Sequence, residues 1–334
     1  MRIVDYWQGK NKFFCKARII TGPDWYKGIL TGSFTMLISC LIYAFPLNYY
    51  IQEESYAPVI IFTILLPISI YYLFSVATHD PGYIPKQSSL FTTKANDALN
   101  EYITSPKPLL IQHKGTIIKM KFCKTCMLFR PPRSSHCSIC DLCVEEFDHH
   151  CPWIGNCVGK RNYVYFFKFL LSMNLLAITG FVCSIDHVTH YENSNKDARK
   201  SLIVSFILVV LLFFVLFFVC GLFGFHLYLV LTGITTNEKI KQTWPKRNFN
   251  PFTSGSPLEN CGIKYKARMS KPQFDPKAVI SQYADDINPN LILRKVKVLK
   301  TFGTAEDTVE KKLQTLGNKP PTSRPQSPLM SECS

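Results

Sequence analysis

Apolar residues are distributed unevenly along the chain. Four blocks, 28–50, 56–78, 163–185 and 202–231, each run about 20 residues or more with almost no charge, enough for a helix to cross a hydrocarbon core about 30 Å thick. The fourth, with FILVVLLFFVLFFVCGLF at its centre, lacks the polar stripe that a buried helix of a soluble protein keeps. The pattern predicts four spanning helices. The first block follows a charged stretch of 27 residues with no small-residue cleavage site, which reads as an uncleaved signal anchor. The last block, roughly 45 Å long at 1.5 Å per residue, exceeds the core, so its end is expected to project into water and carry Thr235 and Thr236 to the loop between spans two and three.

Charge orients these blocks. The connection IQEES has two glutamates and no basic residue, whereas residues 79–162 hold eleven Lys or Arg and the chain from Thr232 onward holds seventeen. The third connection, 186–201, sets Lys196, Arg199 and Lys200 against three acids. Basic loops stay on the cytosolic side, so both termini and the middle loop are expected there. The net charge of +15 then follows from topology and anionic headgroups, and nucleic-acid binding is not needed to explain it.

Cysteine usage adds chemistry. Seven of the thirteen cysteines lie between Cys123 and Cys157, together with three histidines, on a face where thiols stay reduced. Metal binding or catalysis is the use that fits. Two closed tetrahedral zinc sites take eight of these ten groups. One Cys and one His remain. Only Asp148-His149-His150-Cys151 offers a thiol, an imidazole and an acid together, the parts of a nucleophile, a base and an orienting group. Counting does not decide which histidine is the ligand.

The string Cys123, Cys126, Arg130, Pro131, Arg133, His136, Cys137, Cys140, Cys143, Asp148, His149, His150, Cys151, Cys157, Asn162 and Phe166 resembles the cysteine-rich domain of the DHHC protein acyltransferases, the palmitoyltransferase family. Asp80-Pro81-Gly82, Thr235-Thr236-Asn237-Glu238, and Asn250 followed by Asn260 agree with it. The stretch KFCKTCMLFRPPRSSHCSIC, with NEKIKQTW, looks most like the subgroup that acylates Ras-type GTPases with a small accessory subunit.

The resemblance implies structural zinc on Cys123, Cys126, His136 and Cys143, and a second zinc on Cys137, Cys140, His150 and Cys157. It implies Cys151 as nucleophile, His149 as base and Asp148 as its orienting acid. Transfer would run from acyl-CoA (palmitoyl-CoA) to cysteines of membrane-associated proteins through an acyl-enzyme. Arg130 and Arg133 would meet CoA phosphates, while Trp153, Phe166 and Phe169 would line the head of the acyl slot. Lys160 and Arg161 read as charges flanking the membrane, Lys168 as snorkelling, and His226 as packing.

The expected whole is an all-α integral membrane protein with four transmembrane helices and a zinc-bound domain between spans two and three, in Golgi or endoplasmic reticulum membranes. Its parts are a cytosolic N-terminus (1–27), spans one and two (28–78), a cytosolic loop (79–162) holding the cysteine-rich domain (123–162), spans three and four (163–231), a motif region (232–264) and a basic tail (265–334). In that tail NKPPTSRPQSP has a disordered composition, and LILRKVKVLK alternates apolar and basic residues as a membrane-surface segment does.

Overall fold

The computed structural model describes residues 7–15, 19–86, 109–114, 116–190, 196–244 and 250–270. Both tail expectations lie outside the described residues.

The apolar blocks are helical. Helix α1 (Tyr26–Ala44) and α2 (Pro46–Gln52) form one segment broken at Phe45, because Pro46 lacks the N–H that would continue α1. Helices α3 (Ala57–Thr78), α4 (Tyr163–His190) and α5 (Lys196–Thr232) follow. Four helical segments, Tyr26–Gln52, Ala57–Thr78, Tyr163–His190 and Arg199–Thr232, are long and apolar enough to cross a membrane. Helix α4 packs against both α3 and α5. The outer faces stay bare: Phe217 and Phe218 on α5 are each 69% exposed, which costs free energy in water and none in lipid.

The all-α expectation needs correction, since the described residues between α3 and α4 form short antiparallel hairpins. Leu109–His113 pairs with Thr116–Met120, Phe122–Cys123 with Leu128–Phe129, and His149–Cys151 with Asn156–Val158. Ser135–Cys137 and Tyr83–Ile84 flank Leu142–Val144 in a three-stranded sheet. Strands of two or three residues are marginal in water without a further constraint. Their turns contain left-handed residues, Met127 (φ 55°) after CKTC and Asp141 (φ 57°) after CSIC, which bring the paired cysteines to one side.

Beyond α5, Thr235 caps the one-turn helix α6 (Thr236–Ile240) in a capping box with Glu238. Helix α7 (Pro257–Ala267) then packs back on α4 and α5. The chain before α1, where Lys12–Phe14 pairs antiparallel with Ile19–Thr21, the metal-ligand region and these last helices meet at one end of the bundle: Lys10 N–H donates to Cys140 O, Thr236 N–H to Asp148, and Lys264 to Glu146.

Candidate active site

The hairpins bring eight predicted ligands together in two sets. Cys123, Cys126, His136 and Cys143 form one and Cys137, Cys140, His150 and Cys157 the other, each with its ligand atoms within 4.8 Å of one another. His150 Nδ1 lies 3.7, 3.5 and 3.5 Å from the sulfurs of Cys137, Cys140 and Cys157, and His136 Nδ1 lies 3.3 Å from Cys126 Sγ. A tetrahedral ion bonded at about 2.3 Å to sulfur and about 2.0 Å to nitrogen separates such atoms by about 3.5 Å. The residues present therefore fit zinc in both sets.

The third group is the one left over by counting. His149–Cys151 pairs with Asn156–Val158, and side chains alternate along a strand, so His150 turns to the second metal set while His149 and Cys151 turn towards the bundle. Asp148 is fully buried. Its carboxylate accepts from His149 Nδ1 at 2.8 Å and from the N–H and hydroxyl of Thr236 at 2.8 and 2.6 Å. Burial alone would raise this carboxyl, but the hydrogen bonds from His149 and Thr236 and the adjoining charge hold it lowered to about 2. Burial would likewise lower His149, yet its hydrogen bonds to Asp148 and Cys151 and their charges outweigh that and leave it raised to about 10. The imidazole is poised to carry the proton of the Cys151 thiol.

Cys151 is 5% exposed and sits in an apolar cluster with Leu73, Ala77, Ile154, Phe166 and Phe169. Directly after it, Pro152 and Trp153 form part of the wall of a cavity of about 480 Å³. From there the cavity runs between α1, α4 and α5 past Thr31, Thr35 and Ser39 to Ile42, Phe62 and Leu212. Trp153 is thus a wall residue, whereas Phe166 and Phe169 pack around Cys151 behind it. Phe166 presents its ring to His149 at 5.3 Å and 71°.

Arg133 departs from expectation. Its guanidinium is not open to a phosphate: Nε and Nη2 donate to the two oxygens of Glu238 at 2.8 and 2.7 Å, and Nη2 also to Gly233 O. With 6% and 4% of the two side chains exposed, this is a buried ion pair docking α6. Arg130 differs, because its Nε and the neighbouring Ser134 Oγ are buried without a hydrogen-bond partner.

Arg161 pairs with Asp80 and Lys160 with Glu145, so both charges tie the loop after α3 to the start of α4. Lys168 lies 5.5 Å over the Tyr72 ring. His226, read from the sequence as packing, is buried beside the site. From α5 it hydrogen-bonds Tyr163 at 3.0 Å, and its ring centroid is 5.7 Å from that of His149. A lone histidine on an apolar helix carries no signal of this place.

The chain was compared with known proteins. A family model described as DHHC palmitoyltransferase matches residues 116–243. Palmitoyltransferase ZDHHC14 of Mus musculus is 36% identical over 286 residues, covering 81% of this chain and 58% of that protein. Palmitoyltransferase ZDHHC18 of Mus musculus is 36% identical over 265 residues (76% and 70%), and ZDHHC9 of Pongo abelii 40% identical over 276 residues (76% and 73%). The chain thus spans little more than half the length of ZDHHC14 but over two thirds of the others. With the ligand sets and the Asp148-His149-Cys151 cluster in the matched region, the chain belongs to the DHHC palmitoyltransferase family.

Proposed function

We propose that the chain is a protein S-palmitoyltransferase that carries the acyl group on Cys151 between palmitoyl-CoA and a substrate cysteine. The observation that carries this reading is a buried thiol, paired with the His149–Asp148 couple, directly before Pro152 and Trp153, which wall an apolar cavity between helices. A cavity of this lining suits an alkyl chain, whose burial is worth about 0.8 kcal/mol per CH2.

Cys151 Sγ gives its proton to His149, and the thiolate attacks the thioester carbonyl of palmitoyl-CoA. The carbon–sulfur bond to CoA breaks, and the departing CoA sulfur takes the proton from His149. A substrate cysteine then gives its proton to His149, forms the new thioester bond and frees Cys151, whose sulfur recovers the proton. Ping-pong kinetics follow from the covalent intermediate. Asp148, held by Thr236, keeps the His149 ring in place throughout. Arg130 is the candidate for CoA phosphate, supported by its unpartnered Nε and by the fork geometry of guanidinium. Zinc in the two ligand sets would supply the folding energy of a region poor in apolar core.

The basic segments packed at one end of the bundle support a cytosolic active site, which is also where acyl-CoA is found. Substrates would be membrane-associated proteins with accessible cysteines. Identity to ZDHHC9 supports the subgroup resemblance, and with it Ras-type substrates, a small accessory subunit and a Golgi or endoplasmic reticulum membrane. The test is incubation of the purified protein with labelled palmitoyl-CoA. A hydroxylamine-sensitive label on Cys151 that moves to a cysteine peptide supports the proposal; no label, or label passing only to water, overturns it.

A further inference from the structure

The segment that leads into α1 takes no part in the chemistry described so far, yet it lies against the catalytic loop. After the strand Ile19–Thr21 the chain reads Gly22-Pro23-Asp24 and enters α1 at Tyr26. A Cβ on Gly22 would stand 2.4 Å from Gly155 O, and one on Gly155, whose φ is +64°, would stand 2.4 Å from Asp24 O. Further along, Gly28 meets Ile154 O, and Thr31 Oγ1 donates to Trp153 O at 2.6 Å. Residues 22–31 are therefore laid backbone to backbone along residues 153–155, just beyond Cys151.

Within this contact Asp24 makes a specific bond. Its Oδ1 is 3.2 Å from His150 Nε2, and its Oδ2 is 2.9 Å from Lys27 Nζ. Only 5% of the His150 side chain and 14% of that of Asp24 are exposed. His150 Nδ1 faces the sulfurs of Cys137, Cys140 and Cys157, so a metal there needs that nitrogen's lone pair and the ring proton must sit on Nε2. Asp24 is the acceptor of that proton. A carboxylate in this position fixes the tautomer and orientation of a ligating histidine and strengthens its basicity. Among the described residues the other set shows no such bond: Asp141 stands 3.6 Å from His136 Nε2, beyond hydrogen-bond reach.

We infer that Asp24 is a positioning residue of the active site, acting through His150. By holding this ring it secures the second metal set, and because His150 lies between His149 and Cys151 in one three-residue strand, it also fixes how the nucleophile and its base project. The entry of α1, which walls the cavity with Lys27, Leu30 and Thr31, is thereby tied to the loop that carries the thiol. The inference rests on the reading of Cys137, Cys140, His150 and Cys157 as metal ligands and of Cys151 as nucleophile.

The test uses the full-length protein purified with its zinc, and compares wild type, Asp24→Ala, Asp24→Asn and Glu259→Ala. Two quantities are read: zinc release to an excess of chelator, followed by a metallochromic dye, and the single-turnover rate of acyl-enzyme formation from palmitoyl-CoA. Asp24→Ala is expected to release one of its two zinc ions about 10- to 100-fold faster than wild type and to acylate more slowly. Asp24→Asn keeps a carbonyl acceptor without the charge and should recover part of both losses. Should Asp24→Ala not accumulate, Asp24→Asn alone carries the comparison and should fall below wild type in both. Glu259→Ala, which removes an exposed acid on α7, should leave both quantities close to wild type. Wild-type zinc release in the Asp24 variants overturns the inference, and so does slowed acylation without faster release, which would reduce Asp24 to loop packing. Failure of the underlying reading looks different, for then the wild-type protein itself carries no zinc or takes no label on Cys151.

Discussion

Replacing Arg133 by Met should destabilise the protein without weakening its hold on acyl-CoA. The guanidinium is enclosed by Glu238, the carbonyl of Gly233 and, at 3.7 Å, Glu146. Burial would depress its pKa, but the charges of Glu238, Glu146 and Asp148 raise it instead, so the guanidinium keeps its charge. Removing one partner of a buried pair leaves an uncompensated charge and costs about 3–5 kcal/mol. At about 2–4 °C per kcal/mol, the unfolding midpoint should drop by roughly 10 °C. The double variant Arg133→Met/Glu238→Leu removes both charges, and its cost should fall short of the sum of the single costs by about 1–3 kcal/mol.

The assay is thermal unfolding in detergent, followed by intrinsic fluorescence, beside steady-state acylation over a range of palmitoyl-CoA. Loss of the pair frees α6, and with it the Thr236 bonds to Asp148, so kcat should fall while KM stays within about two-fold, the pattern of an interaction that does not serve ground-state binding. A normal midpoint with a strongly raised KM would refute this reasoning and return Arg133 to the phosphates of CoA.

Cys151→Ser should take no label yet keep two zinc ions per chain by elemental analysis; loss of one would make this sulfur a ligand. His149→Ala should keep both ions and acylate about 100-fold or more slowly, whereas His150→Ala should lose one, and the reverse would exchange base and ligand. The His149 pKa is raised from 6.5 to about 10 in the folded state, so its stabilising contribution is complete below pH 6.5 and lost as pH rises through 10. The wild-type unfolding midpoint should therefore fall over that interval more steeply than that of His149→Gln, and parallel curves would contradict the pair. A glycosylation acceptor inserted between 186 and 201 should be modified and one near Gln112 should not, since sugar at Gln112 would invert the topology.

The four spans were legible because an apolar run of that length admits no other fold in a membrane protein. The two Cys/His sets were legible because a C-x2-C turn repeated beside histidines has few other uses. The hairpins that carry them were not, since strands of two or three residues show no alternation. Arg130 and Arg133 flank the same pair of prolines and look equivalent in sequence, yet only Arg133 meets a buried carboxylate, contributed by Glu238 about a hundred residues later. The place of His226, read only as packing, and that of Asp24 were hidden for a similar reason. One is a single polar residue in an apolar helix, the other an ordinary acid before a span, and only tertiary contact places them beside His149 and His150.

The flanking motifs acquire a physical role from the ends of the helices. The last carbonyls of a helix have no partner within it, and where those ends are buried the groups must be satisfied from elsewhere. At the end of α3, Asn162 donates to Val76 O and Asn156 to Ala77 O. At the end of α5, Asn260 donates to Leu231 O, and just beyond it Asn250 donates to Gly233 O. Asp80 closes the turn after α3 by accepting from the N–H groups of Gly82 and Tyr83 while its other oxygen holds Arg161. Asn156 and Asn162 come from the loop that carries Cys151, so these bonds set the height of the thiol against the helices that wall the cavity. A shift of about 1 Å between a nucleophile and its bound substrate can cost on the order of 100-fold in rate, and the asparagines are placed to prevent such a shift. On the proposed reading, the register these asparagines fix is what would let the loop carrying Cys151 act on an acyl chain lodged between the helices.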